Sequence, residues 1–278
     1  MILSYHPIID ADANRLCAGR LPDVEDQAAI QRATAVIVPQ GCGPELYRMA
    51  RTHCRHVFPN LDVRFDHPGK CGQVGLFRHL GIAHPPTELF DDVVAFHGRE
   101  TSLPLPAVIK LDWGGEGRTV FKVDDLDGLG QVLARLEACE RTGQQGFLVQ
   151  PYLPHHGRCL RVTVIGTRQI AYWRIQPDPD RFGTSISSGA RIDLRADPHL
   201  QAAGLAVARH FCRRTGLQLA GFDFIFDERT LAAGRVEPLM LEINYYFGRT
   251  GLGGSEAFYK ILTAEVDHWL AGLGLQRK

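Results

Sequence analysis

Two short stretches toward the C-terminal end alternate polar and apolar side chains with the period of a strand. In Leu239-Met240-Leu241-Glu242-Ile243-Asn244, successive strand side chains point to opposite faces, so Glu242 and Asn244 share one side and Leu241 and Ile243 the other. In Gly221-Phe222-Asp223-Phe224-Ile225-Phe226 the phenylalanines take one face and leave Asp223 on the other. If these strands pair, three oxygen-bearing side chains converge, and a hard divalent cation takes oxygen ligands of that kind. An ordinary half-wet sheet with its acids in water has the same pattern.

The first 67 residues read as a short α/β lobe. Residues 35–39 are a buried-strand candidate, Gly41-Cys42-Gly43 turns the chain, Pro44 opens a helix through Leu46, Met49 and Ala50, and Val57-Phe58 is another strand candidate. A strand, glycine turn and helix also describe a nucleotide-binding unit, but the third glycine is missing. His67-Pro68-Gly69-Lys70 then leads into a helix that turns Val74, Phe77 and Leu80 inward and stops at Gly81. Residues 82–87 run extended, because a residue before proline is pushed out of the helical region.

Residues 105–111 form a strand that carries Lys110 and runs into Gly114, Gly115 and Gly117 before a second strand at 119–123. A Walker A loop or a protein-kinase glycine loop places its lysine after the glycines, so neither applies. The order describes a hairpin whose tip can fold over a polyphosphate, with backbone amides on phosphate oxygens and Lys110 adding positive charge. A plain glycine-rich turn is the alternative. Asp124 or Asp125 caps the next helix, whose apolar face is Leu126, Leu129, Val132, Leu133 and Leu136. The strand at 146–150 ends in Pro151-Tyr152-Leu153-Pro154, where prolines cannot donate ladder bonds and free backbone groups can read a flat heterocycle edge.

Residues 158–175 form a hairpin about Gly166-Thr167, with Arg161 and Thr163 on one face and Arg174 reaching the same region; arginines on an exposed sheet are the alternative. Residues 183–190 are a polar loop, either a lid or a linker. Asp197-Pro198 starts a helix with Leu200, Val207, Ala208 and Phe211 inward and Gly216 at its end. Ser255 caps a closing helix whose stripe is Phe258, Ile261, Leu262, Val266, Trp269 and Leu270.

Composition narrows the class. The 278 residues are 45% hydrophobic, enough for one large domain or two to three lobes. Lysine plus arginine equals aspartate plus glutamate at 31 each, which lacks the basic excess of a nucleic-acid binder. The seven cysteines are scattered and never spaced as Cys-x-x-Cys, so reduced thiols and a cytoplasmic protein are expected, without structural zinc. No apolar run reaches membrane-spanning length, and no membrane role is expected.

Taken in order, these pieces resemble the ATP-grasp superfamily, specifically its glutathione synthetase and ribosomal protein S6 glutamate ligase (RimK-like) branch, from about Lys70 onward. The resemblance rests on a lysine opening a helix, the extended 82–87 segment, a strand lysine before a glycine loop, a strand exit near Gln150, an arginine hairpin, and then Asp223, Glu242 and Asn244. It implies an α/β (α+β) fold of two lobes clasping ATP, residues 68–150 and 151–278, after a short Rossmann-like lobe at 1–67. It further implies that Lys70 and Lys110 hold ATP phosphates under Gly114, Gly115 and Gly117, and that Gln150, Tyr152 and Leu153 line the adenine pocket, the last two partly through backbone. Arg161 would face the reacting phosphoryl group and Arg174 the acyl phosphate, and Asp223, Glu242 and Asn244 would hold Mg2+, or Mn2+ in its place. Arg249, in the glycine-rich loop, is a carboxylate-clamp candidate because its planar fork suits bidentate pairing.

The implied activity is ATP-dependent ligation of a small-molecule or peptide carboxylate to an amine, with a homo-oligomer left open. A phosphotransferase and a non-catalytic ATP-binding module are the other readings. The chain departs from the family at Cys159, where an acidic residue is common, at Ser185, where relatives carry asparagine, and at Tyr245-Tyr246-Phe247-Gly248, where Asn-x-Ser/Thr-Pro-Gly is usual. The acceptor specificity of relatives therefore does not carry over.

Overall fold

The computed structural model describes residues 1–115 and 117–277; Glu116, within the glycine segment, and Lys278 lie outside the described residues. Among the described residues the strands gather into three sheets that follow one another along the chain.

The first sheet is parallel. Its β1 (Ile2–Ser4) lies between β2 (Ala13–Asn14) and β3 (Ala35–Ile37), with β4 (Val57–Phe58) beyond β3. Parallel neighbours need crossovers, and α1 (Val24–Arg32) and α2 (Pro44–His53) supply them. Pro44 opens α2 as expected. By contrast β1, β2 and α1 were not expected, since strands of three and two residues leave no readable period. A reciprocal cap fixes α1: the Asp23 carboxylate accepts from the amides of Glu25 and Asp26, and Asp26 accepts from the Asp23 amide.

Next come α3 (Asp62–Asp66) and α4 (Gly69–Leu80), which Gly81 closes in the left-handed conformation at φ +67°. The second sheet combines β5 (Glu88–Phe90), β6 (Ala107–Leu111), β7 (Val120–Val123) and β8 (Phe147–Pro151), antiparallel in the order β5-β8-β6-β7. Covering it are α5 (Val93–Phe96) and α6 (Leu126–Glu140), whose Leu129 and Leu136 meet Ile109, Phe147 and Val149 in one core. Asp125 caps α6, but Leu126 is exposed: as the first helical residue it has no core neighbour.

The third sheet begins with the expected hairpin, β9 (Arg158–Ile165) and β10 (Arg168–Ile175). With β11 (Arg191–Asp193), β12 (Leu219–Ile225) and β13 (Leu239–Asn244) it forms the antiparallel order β11-β10-β9-β12-β13. Its helices are α7 (Pro198–Thr215), the short α8 (Glu228–Ala232) and α9 (Gly254–Gly272). Two caps differ from expectation. Asp197 precedes α7 at φ +45° but its carboxylate pairs with Arg158 rather than with the helix amides. Ser255 lies inside the first turn of α9, capped by Gly253, and accepts from Arg249 Nη1 at 3.3 Å.

Packing distributes these elements across sheet boundaries. Phe222, Phe224, Met240 and Ile243 pack with Phe211 of α7 and with Leu76 and Phe77 of α4, so the helix that opens at Lys70 belongs to the core of the third sheet. The α9 stripe, Phe258, Leu262, Val266 and Leu270, shares a core with Ile2, Leu3, Val36 and Phe58 of the first sheet. Each such side chain contributes roughly 1.5–3 kcal/mol when fully buried. All seven cysteines are free thiols, and among the described residues no helix is long and apolar enough to cross a membrane.

Candidate active site

The face of the third sheet opposite Phe222 and Phe224 borders a cleft of about 920 Å3, which also takes lining residues from α4 and the second sheet. That volume is at the upper end of the roughly 300–1,000 Å3 usual for ligand sites. Strand register builds one wall. Asp223 on β12 lies opposite Arg161 on β9 and Glu242 on β13, and a register shift follows Asp223.

Arg161 grips Asp223 with a fork, Nε to Oδ1 at 2.6 Å and Nη2 to Oδ2 at 3.0 Å, while Arg174 Nη2 approaches Oδ2 at 2.8 Å. Burial alone would raise the Asp223 carboxyl, but the two guanidinium charges overcome it and hold the group well below the usual carboxylate range. Asn244 Nδ2 donates to Asp223 Oδ2 and to Glu242 Oε1, both at 3.0 Å. The acid and amide side chains do converge, but both Asp223 oxygens are committed to arginines and an amide. Glu242 Oε2 and Asn244 Oδ1 have no bond among the described residues.

Opposite this wall are two lysines, each 6% exposed. Lys70 is in the first turn of α4, and its Nζ donates to the carbonyls of Gly114 at 3.1 Å and Trp113 at 3.3 Å. Lys110, on β6, makes no hydrogen bond through Nζ among the described residues. Burial pushes both ammonium groups below the ordinary lysine value, Glu242 pulls each part of the way back, and Lys70 adds to the depression at Lys110.

Asp112, which sequence reasoning missed, aligns these parts. Its Oδ1 accepts from the Cys71 amide at 2.6 Å and its carbonyl from the Lys70 amide at 3.0 Å, pinning the start of α4 beside Lys110. Gly69 allows this approach, since at φ +70° any Cβ would collide with the Asp112 carboxylate. Gln73 was missed too: its side-chain amide donates to Ile243 O at 3.1 Å and accepts from Ile243 N at 2.7 Å, joining α4 to β13. These links span 41 and 170 residues, and no local pattern signals them. In the glycine segment Gly114 is at φ +81°, where a Cβ would sit 2.6 Å from the Thr119 methyl, and Gly114, Gly115 and Gly117 all line the cleft.

Gln150, Tyr152 and Leu153 line the cleft as well. Gln150 Nε2 donates to Thr87 Oγ1 at 2.8 Å, which ties the extended 82–87 segment to β8. The backbone groups expected at this strand exit are partly occupied: the Tyr152 amide donates to Pro106 O at 2.9 Å, and Leu153 O takes a 2.7 Å contact from His155 Nδ1. Cys159 lies beneath Arg174, its thiol pushed up to about 11 by burial, so it adds no negative charge. Arg249 is elsewhere. Its guanidinium lies 4.3 Å from the Phe258 ring and 4.6 Å from that of Tyr259, beside a separate, shallower depression lined by Gln40, Tyr246 and Ser255.

No family model matches the chain, and no curated protein matches it in sequence. Solved structures do match. A RimK domain ATP-grasp protein from Sphaerobacter thermophilus superposes with a TM-score of 0.62 at 14% identity, over 95% of this chain and 98% of its own. D-alanine–D-alanine ligase from Bacillus anthracis gives 0.63 at 13% identity, over 93% and 86%. The chain has the ATP-grasp fold. An ATP complex of carboxyaminoimidazole ribonucleotide synthase from Aspergillus clavatus shares it, with a TM-score of 0.60 and 12% identity over 84% of this chain. This chain spans 59% of that enzyme's length and 64% of a related synthetase solved with ADP. The cleft is bounded by the glycine segment and Lys110 of β6 on one side and by Glu242 and Asn244 of β13 on the other.

Proposed function

We propose that this protein is an ATP-dependent carboxylate–amine ligase. The observation that carries the reading is Lys110: a buried ammonium group with no hydrogen bond or ion-pair contact among the described residues, only partly offset by Glu242, and facing a cleft whose other wall presents Glu242 and Asn244. A buried charge so incompletely offset is costly, and a polyphosphate would add the counter-charge.

In this reading Lys70 and Lys110 hold the nucleotide phosphates under Gly114, Gly115 and Gly117, and the adenine lies against Gln150, Tyr152 and Leu153. Glu242 and the Asn244 amide oxygen would hold Mg2+ or Mn2+, with Asp223 behind them fixing Asn244. Magnesium is usually bound through one or two carboxylates plus phosphates and water, so this small oxygen set fits. When bound, the ion would neutralise phosphate charge. Asp223 fixes Arg161 and Arg174 so that their remaining N–H groups face the transferring phosphoryl and the acyl phosphate, which is charge stabilisation by groups already in place. A carboxylate oxygen bonds to the γ-phosphorus as its bond to ADP breaks, and an amine nitrogen then attacks the acyl carbon and expels phosphate. The products are an amide, ADP and phosphate.

The test is a screen of amino acids, peptides and small carboxylates, paired with amines, for ADP release, followed by mass spectrometry of the product. An amide dependent on both partners supports the ligase. A phosphorylated product without amide would make the protein a phosphotransferase, and Mg-ATP binding without turnover under every pair would make it a binding module.

A further inference from the structure

His155 borders the cleft without a place in the reaction described above. It follows Tyr152 and Leu153 as the chain leaves β8, and hydrogen bonds on both flanks hold the turn that presents it. Its Nδ1 lies 2.7 Å from Leu153 O, and the Glu228 amide donates to Pro154 O at 3.0 Å. On the other flank the His156 amide donates to Glu228 Oε1 at 2.5 Å and the Gln176 amide to Gly157 O at 2.9 Å. His156 itself is at φ +50°, a strained backbone conformation that persists only where its surroundings impose it. The contact with Leu153 also fixes the tautomer of His155. A carbonyl oxygen only accepts, so Nδ1 carries the proton and Nε2 of the neutral ring keeps one lone pair. Burial lowers the imidazole from its ordinary value, with Lys110 and His156 adding to the effect against the Leu153 bond and Glu228, so the ring is neutral at pH 7. Nε2 has no partner among the described residues, and it is not one of the polar atoms sealed from solvent.

The place of His155 along the cleft decides what this acceptor meets. Its ring centroid is 5.8 Å from that of Tyr152, at the end proposed for adenine, and it lies within the field of Lys110, proposed for the phosphates. In a nucleotide the ribose joins those two parts. The acids that border the cleft among the described residues stand elsewhere: Asp112 at the start of α4, Asp223 and Glu242 on paired strands of the third sheet. We infer that His155 Nε2 accepts a hydrogen bond from a ribose hydroxyl of the bound nucleotide and makes the site selective for a ribonucleotide. The inference rests on the nucleotide-binding part of the ligase reading and adds a count to it. A carboxylate, with two oxygens, can accept from both vicinal hydroxyls, whereas a neutral imidazole has one lone pair to offer. The selectivity is therefore for a single hydroxyl, 2′ or 3′, and not for the pair.

The test is calorimetric titration of the full chain with Mg-ADP and with its 2′-deoxy and 3′-deoxy analogues. One analogue is expected to bind roughly three- to tenfold more weakly than ADP, the size of one neutral hydrogen bond, while the other binds as ADP does. His155→Asn keeps a donor where Nδ1 stands and removes Nε2, so the bond to Leu153 is retained. It should weaken ADP to the level of the discriminated analogue and leave that analogue unchanged. Should this variant not fold, His155→Phe, which keeps a ring and removes both nitrogens, is read in the same way. Equal affinity of the wild type for all three nucleotides overturns the inference, as do equal losses on both analogues or a preference that survives in a folded variant. The two readings fail separately: ADP binding without discrimination removes the role of His155 alone, whereas failure to bind any of the three removes the nucleotide site on which both rest.

Discussion

The two charged walls of the cleft are assembled on opposite principles. On the third sheet Arg161 and Arg174 both pair with the one carboxylate of Asp223 within hydrogen-bond distance, and Asn244 completes the set. Across from them Lys70 leans only on backbone carbonyls, and Lys110 has no hydrogen-bond partner among the described residues. Burial depresses both lysines, whereas Asp223 stays charged because its arginines outweigh burial. One wall pairs its central charges within hydrogen-bond distance; the other holds Lys110 by no such contact, with only the longer-range pull of Glu242. Residues that look equivalent in a sequence motif therefore differ in whether they serve the fold or the ligand first.

Removing groups from each wall separates these roles. Glu242→Ala should have the largest consequence, lowering ADP release by about a thousandfold or more, since charge-stabilising groups in dry sites carry effects of that size. A folded variant with unchanged turnover would remove Glu242 from the site. Asp223→Asn should come next, because it leaves two buried guanidiniums without a counter-charge and costs about 3–5 kcal/mol of stability in urea titrations. The acid dependence has a definite sign. A carboxyl whose folded pKa is depressed contributes stability that is complete above its unfolded value of 3.8 and is lost as pH falls below it, so the wild type's advantage over Asp223→Asn should shrink in acid. An advantage that grows in acid would break the contrast.

Lys110→Met should move stability the other way. Replacing an incompletely offset buried ammonium by an apolar chain should raise Tm by roughly 2–4 °C, while ADP affinity falls by about 2 kcal/mol or more. A variant that loses stability as Asp223→Asn does would show that Lys110 already has its counter-charge. Leu126→Ala should change least, within about 0.5 kcal/mol, because the side chain meets no core residue.

Much of the fold was legible because its signals are local. The period-two hairpin at Arg158–Ile165 and Arg168–Ile175, the face shared by Glu242 and Asn244, and the glycine stops at Gly81 and Gly216 each depend on a few neighbouring residues. Strands of two or three residues, such as β2, β5 and β11, are too short for any period. The parts of the site that were missed, Asp112 and Gln73, act on residues far along the chain, so only tertiary structure shows them. Arg249 illustrates the converse: a glycine-rich loop made it a plausible clamp, yet the aromatic rings of α9 hold it away from the cleft.

The sharing of one core by the first sheet and α9 ties together the two ends of the chain. During synthesis β1 to β4 emerge some two hundred residues before α9, and until Phe258, Leu262 and Val266 arrive their core, though already joined by Ile30, Leu46 and Ala50 of α1 and α2, lacks part of its cover. That sheet is thus completed late, and a truncation reaching into α9 would be felt at Leu3 before it was felt at Glu242.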